Sequence, residues 1–186
     1  MNTNIADIII LAIDPSTNLV GWCVSEGSRH IASGAVDLAR GKKEVDLWIR
    51  LGRLQQWMDE VLTQWSPHVV VCEEPMGDND NRWTDRRMGN AQGIVFSEAN
   101  RCGLPFIVVR PSQVRDTVLS KANTLSLMCS ASFAGKEQVS KDEADAIGVG
   151  QAGLVVLREQ RLEQLWEHRM LTPENGSGGL FKNEVA

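Results

Sequence analysis

Two short apolar runs each stop on an acid, and that pattern limits the possible folds more than any other feature of the chain. Residues 8–14 read IIILAID and residues 69–73 read VVVCE. A continuous run of this kind marks a strand buried on both faces. Each run therefore carries a carboxylate, Asp14 or Glu73, to the end of a buried strand, where a charge is costly without a partner. Residues 19–24 (LVGWCV) follow a polar turn and residues 31–36 follow Glu26-Gly27-Ser28, so the first three strands predict an antiparallel meander. From residue 44 to 64 the positions Trp48, Leu51, Leu54, Met58, Val61 and Leu62 recur at three and four, the period of an amphipathic helix, and Ser66-Pro67 ends it.

Beyond Glu73 the alternation becomes strand, helix, strand. Residues 77–84 read as a polar loop, 86–101 as a helix, and 105–109 as a strand that leads into Arg110-Pro111-Ser112. A long helix is expected over 141–168, opening on Ser140-Lys141-Asp142-Glu143, the Ser-x-x-Glu form of a capping box. A meander followed by βα units predicts an α/β fold, a mixed sheet flanked by helices. No repeat or second core is evident, so residues 1–170 are read as one domain. Residues 171–186, with Gly176-Ser177-Gly178-Gly179, have the composition of a flexible tail.

Composition narrows the function classes. The chain has 186 residues, 42% of them hydrophobic and 23% charged, which excludes global disorder. No run approaches the ~20 apolar residues of a membrane span, and the first residues lack the basic start of a signal peptide. A cytoplasmic protein with no membrane association is expected. The four cysteines, Cys23, Cys72, Cys102 and Cys129, are scattered without metal-ligand spacing and are expected to be buried thiols. With 24 acidic against 19 basic residues, the chain cannot grip nucleic acid with its whole surface. Such a contact would have to be local.

Four acids stand out by context: Asp14 and Glu73 at strand ends, and Asp142 and Asp145 on the first turns of the last helix. Asp14-Pro15 also suits a type I turn, and Asp142 also suits the positive end of a helix dipole. Asp145 fits the dipole account less well, because the small and apolar residues after it require the helix to pack on the sheet. Residues three apart share a helical face, so Asp142 and Asp145 can point at one spot, the strand ends bearing Asp14 and Glu73. Clustered carboxylates repel unless a cation compensates, and hard oxygen donors favour Mg²⁺ or Mn²⁺.

The same residues carry a family resemblance over about residues 8–153. Ile10-Leu11-Ala12-Ile13-Asp14-Pro15-Ser16 with Gly21, Val71-Cys72-Glu73-Glu74-Pro75, and Asp142-Glu143-Ala144-Asp145-Ala146-Ile147 resemble the acidic motifs of RuvC-type Holliday junction resolvases, in the same order. Met88-Gly89-Asn90-Ala91-Gln92-Gly93-Ile94 is similar to a helical stretch between the second and third motifs, and Gln113-Val114-Arg115-Asp116-Thr117-Val118 to the basic segment that follows. The resemblance implies a ribonuclease-H-like fold with a mixed five-stranded sheet, a homodimer, and metal-dependent, symmetric nicking of four-way or branched DNA. It implies Asp14, Glu73, Asp142 and Asp145 as ligands of Mg²⁺, for which Mn²⁺ can substitute, with two ions per site. Glu73 and Glu74 point to opposite faces of a strand, and Glu73 matches the family acid.

Between Arg82 and Lys121 seven basic residues face three acids. Arg82, Arg86, Arg87, Arg115 and Lys121 are the candidate phosphate contacts, although a solvated helix face also accounts for Arg86, Arg87 and Arg101. Met76 and Trp83 lie where the resemblance implies an apolar wedge into the junction, and a core Trp is the alternative for Trp83. Ser16 stands where many relatives have Gly, and residues 120–132 lack the expected Gly-rich, Lys-bearing pattern, which leaves Lys121 or Lys136 as substitutes for a catalytic lysine. Other readings are a debranching nuclease, an RNA·DNA hybrid nuclease of the same fold, and a non-catalytic junction-binding protein.

Overall fold

The computed structural model describes residues 5–40, 46–75, 82–117 and 124–159, with only the backbone described for 82–85 and 124–126. The strands are β1 (Ile9–Asp14), β2 (Leu19–Glu26), β3 (Arg29–Asp37), β4 (Val69–Glu73) and β5 (Phe106–Val109), and the helices are α1 (Leu47–Trp65), α2 (Arg82–Arg101), α3 (Pro111–Arg115), α4 (Thr124–Ala134) and α5 (Lys141–Glu159). The sheet runs β3-β2-β1-β4-β5. β1, β2 and β3 pair antiparallel, while β1 with β4 and β4 with β5 pair parallel. This is the expected mixed five-stranded sheet, with the meander on one side and the βα units on the other.

Period-two alternation divides the strands between two cores. Ile10, Ala12, Val69, Val71, Ile107 and Val109 pack with α5 on one face. Leu11, Ile13, Val70 and Cys72 pack with α1 and α2 on the other. Because both faces are covered, β1 and β4 are apolar throughout. The amphipathic reading of α1 holds at Leu51, Leu54, Met58, Val61 and Leu62, which are buried. Its start is set by Asp46, whose side chain accepts from the Trp48 N–H at 2.8 Å, and its end by Ser66 in the left-handed region at φ 44°.

Small residues let α5 cross the sheet closely. A Cβ on Gly150 would lie 3.2 Å from the Ala12 Cβ, and one on Gly153 would lie 2.6 Å from Val71. Ala12 and Val71 are register partners, so the two glycines seat the middle of α5 on the β1–β4 pair.

The structure departs from expectation at four places. α2 begins at Arg82, so Arg82 and Trp83 lie on its first turn and not in a polar loop. The helices α3 and α4 were not foreseen; α3 is one turn long and α4 is apolar without a helical stripe. Cys23 and Cys72 are buried as expected, but Cys102 is exposed because it sits in the turn that ends α2, and Cys129 is half-buried. The Ser140 hydroxyl accepts from the Glu143 N–H at 3.2 Å, but the Glu143 side chain turns toward the sheet, so only half of the capping box forms. Met76, Lys121, residues 160–168 of the expected long helix and the tail 171–186 lie outside the described residues. Among the described residues no helix is long and apolar enough to cross a membrane.

Candidate active site

Strand parity determines where the two strand-end acids point. Asp14 has the parity of Ile10 and Ala12, and Glu73 has that of Val69 and Val71, all of which face α5. Ile13 is paired with Cys72, so the next step of the parallel register sets Asp14 beside Glu73. The Cys72 thiol gives an independent sign. Its pKa is raised first by burial and then by the charges of Asp14 and Glu73, so both carboxylates lie within electrostatic reach of it.

The start of α5 comes to the same place through Gly21. Asp14 is the register partner of Gly21, and a Cβ on Gly21 would lie 1.9 Å from the Asp142 carbonyl oxygen and 3.3 Å from the Ala146 Cβ. Only a residue without a side chain lets the helix sit this low on the strand. The partial positive charge of the α5 N-terminus is thereby brought to the strand end that carries Asp14 and Glu73. Glu73 and Asp145 are buried, at 5% and 7% exposure, while Asp14 and Asp142 are half-buried. Glu74 is exposed, and its N–H donates to the Val109 carbonyl. Gln92 of α2 donates to the Glu73 carbonyl at 3.4 Å and steadies the end of β4.

Asp14 and Glu73 thus share one end of one sheet face, and the first turn of α5, which carries Asp142, starts beside that end. Among the described residues no three His, Cys, Asp or Glu side chains are gathered closely enough to form a finished metal cage. The donor chemistry still suits a hard divalent cation. All four groups are carboxylates, and two of them are buried where uncompensated charge is costly.

Arg86 and Arg87 on α2, Arg110, and Arg115 on α3 are exposed. Arg101 is committed elsewhere: its guanidinium bonds Glu98 at 2.7 Å and pairs with Asp59, tying α2 to α1. The sequence reading held Gln92 only as part of the stretch 88–94, with no role of its own, and gave none to Arg50 or Ser33. Arg50 donates to the Thr17 carbonyl at 3.3 Å and to the Asn18 side chain, and so pins the β1–β2 turn that follows Asp14.

Lys136 is ion-paired with Glu143 and donates to the Ser33 carbonyl at 2.9 Å. Burial alone pushes the Glu143 carboxyl up, but hydrogen bonds from Lys136 and Ser33 and the ammonium charge outweigh it, so its pKa lies below the ordinary carboxylate value. The nearby Cys23 thiol is pushed up to about 12, by burial first and then by the Glu143 charge, against the opposing Lys136. That thiol is unreactive near neutral pH. A depressed carboxyl contributes stability that is present above its unfolded pKa and lost as pH falls through its folded pKa. Lys136→Met is therefore expected to cost about 1–2 kcal/mol near pH 7, a buried-pair cost reduced because water reaches Lys136. The cost should shrink below the ordinary carboxylate pKa of about 4.3. Denaturant unfolding at pH 7 and pH 3 checks this, and an equal cost at both would contradict it.

Comparison with known proteins gives a consistent set of likenesses. A family model described as crossover junction endodeoxyribonuclease RuvC matches residues 10–153. The chain is 27% identical over 157 residues to the crossover junction endodeoxyribonuclease RuvC of Rickettsia conorii, covering 80% of this chain and 98% of that protein. It is 28% identical over 150 residues to the RuvC of Brucella anthropi, covering 76% of this chain and 85% of that one. Among solved structures, T. thermophilus RuvC in complex with Holliday junction substrate matches with a TM-score of 0.68 at 22% identity, covering 83% of this chain and 97% of that chain. The yeast mitochondrial Holliday junction resolvase Ydc2 matches with a TM-score of 0.56 at 15% identity, covering 91% and 85%. At these identities the structural likenesses speak to the fold.

Proposed function

Because the chain belongs to the RuvC family of crossover junction endodeoxyribonucleases, we propose that it resolves four-way DNA junctions by metal-dependent hydrolysis, with Asp14, Glu73, Asp142 and Asp145 as the residues that hold the metal. The observation that carries this reading is the parity of β1 and β4, which turns Asp14 and Glu73 toward the helix whose first turns bear Asp142 and Asp145. Divalent metal dependence is general in the family; Mg²⁺, replaceable by Mn²⁺ and at two ions per site, is the finer proposal.

Bound there, a divalent ion supplies Lewis acidity toward a phosphodiester and neutralises the charge that builds up during hydrolysis. The protein's own part is positioning and charge. Asp14 and Glu73 project from strands fixed on both faces, so their carboxylates are held rigidly. Asp142 and Asp145 come from a helix seated on Gly21, which sets their height above the strands. Glu73 and Asp145 are buried, and a divalent ion bound beside them would offset part of the cost of keeping carboxylates out of water. Arg86, Arg87 and Arg115, all exposed, are proposed to hold the phosphate backbone, together with Arg82, Lys121 and the junction-contacting Met76 and Trp83. A homodimer with two such sites about a two-fold axis would match the symmetry of a four-way junction.

Incubation of the full chain with Mg²⁺ and end-labelled four-way junction, linear duplex, branched flap or RNA·DNA hybrid tests the proposal. Paired, symmetric nicks in the junction alone are expected; equal cutting of flap or hybrid would replace it with a debranching or hybrid nuclease. The basic residues make a separate prediction. Arg115→Ala should weaken junction binding most at low salt and lower the slope of log affinity against log salt by about 0.9. Fluorescence anisotropy without metal checks this, and an unchanged slope removes Arg115 from the interface.

A further inference from the structure

Glu143 stands in the chain between Asp142 and Asp145, yet its side chain joins neither the helix cap nor the strand end. Its buried side chain accepts from the Ser33 hydroxyl at 2.6 Å and from the Lys136 ammonium. Lys136 also donates to the Ser33 carbonyl at 2.9 Å, and the His30 Nε2 lies 2.8 Å from the Ser33 hydroxyl oxygen. Three pieces of the fold are tied together in this way: edge strand β3, the α4–α5 connection, and the first turn of α5. On its other contact the same turn rests its Asp142 carbonyl against Gly21 of β2. The first turn of α5 is therefore held at two points.

An apolar residue at position 143 would fill the same space with less desolvation, since a buried ion pair rarely adds stability over well-packed hydrophobic side chains. What a directional network adds is a defined position. The neighbours it positions are Asp142 and Asp145. We infer that Lys136, Glu143 and Ser33 form a clamp that sets where Asp142 and Asp145 stand, and through them the affinity of the site for its divalent ion. Lys136 is then a positioning residue and not a substitute catalytic lysine. This rests on the reading of Asp142 and Asp145 as metal ligands.

Charge alone makes the opposite forecast for one variant, which allows a decisive test. If Lys136 and Glu143 acted only through their fields, Lys136→Met would tighten Mn²⁺ binding and Glu143→Gln would weaken it. The clamp predicts that both weaken it, by about tenfold, the scale seen when a group orienting a metal ligand is removed. Isothermal titration of the metal-free full chain with Mn²⁺ reads the affinity directly, at a temperature where melts show each variant folded. Ser33→Ala, which leaves both charges in place, should also weaken binding, by about threefold, and Lys136→Arg should restore most of the affinity. In cleavage assays the loss should appear as a raised metal requirement, with the rate at saturating Mn²⁺ largely recovered. Lys136→Met and Ser33→Ala proteins that bind Mn²⁺ as tightly as wild type, while Asp145→Asn binds it weakly, would overturn the clamp and leave the ligand assignment standing. Wild-type Mn²⁺ affinity in Asp145→Asn would overturn the ligand assignment and the clamp with it.

Discussion

Asp145→Asn is expected to hold a four-way junction at least as tightly as wild type and to cleave it about a thousandfold more slowly. Asn has the shape of Asp, so the buried position at 7% exposure is refilled without a cavity. What is lost is one negative charge and one strong oxygen donor. Removing a single preorganised electrostatic stabiliser, such as one oxyanion-hole donor, costs about 10²–10³ in rate, and weakened metal binding adds to a loss of that scale here. Binding moves the other way, because one fewer acid faces the phosphates. Because the side-chain shape is kept, the metal-free variant should still melt cooperatively as a folded protein. Single-turnover cleavage, binding without metal, and thermal melts check the three parts. Wild-type turnover would remove Asp145 from the site.

Gly21→Ala should be nearly as damaging without touching an acid. The added Cβ would sit 1.9 Å from the Asp142 carbonyl oxygen and 2.6 Å from its carbon, both backbone atoms that cannot swing aside. Either β2 or the first turn of α5 must move. Overpacking of this kind typically costs about 1–3 kcal/mol, and a shift of about 1 Å in the acids on α5 is enough to lower cleavage about a hundredfold. Gly52→Ala is the control. Nothing lies within 4 Å of a Cβ at that position, and the exchange should stabilise α1 by up to about 1 kcal/mol through helix propensity alone. Denaturant unfolding and cleavage rates on the two variants check this. Gly21→Ala behaving like Gly52→Ala would mean that the close seat of α5 is not what organises the site.

The sheet and the facing of its acids were legible because strand parity is a local property. A run such as IIILAID states both that it is buried and that Asp14 shares a face with Ile10 and Ala12. The α1 stripe was legible for the same reason, at period 3.6. The polar sequence before Arg86 concealed the first turn of α2, and α4 was concealed because its serines and apolar residues are mixed without a helical stripe. Glu143 was misread for a different reason. Its local pattern fits a cap, but its partner Ser33 lies 110 residues away, and no local spacing encodes that meeting. Gly21 entered the sequence reading only through the family resemblance. The reason for glycine there is an approach by a helix more than a hundred residues downstream, which becomes visible only once α5 is placed on the sheet.

The most direct measurement of the whole account is the anomalous scattering of manganese in crystals of the full chain grown or soaked with Mn²⁺. Density for bound ions bridging Asp14 and Glu73 to Asp142 and Asp145 is the predicted result. Manganese bound at another place, with Asp14 and Asp145 too far apart to share an ion, would contradict it.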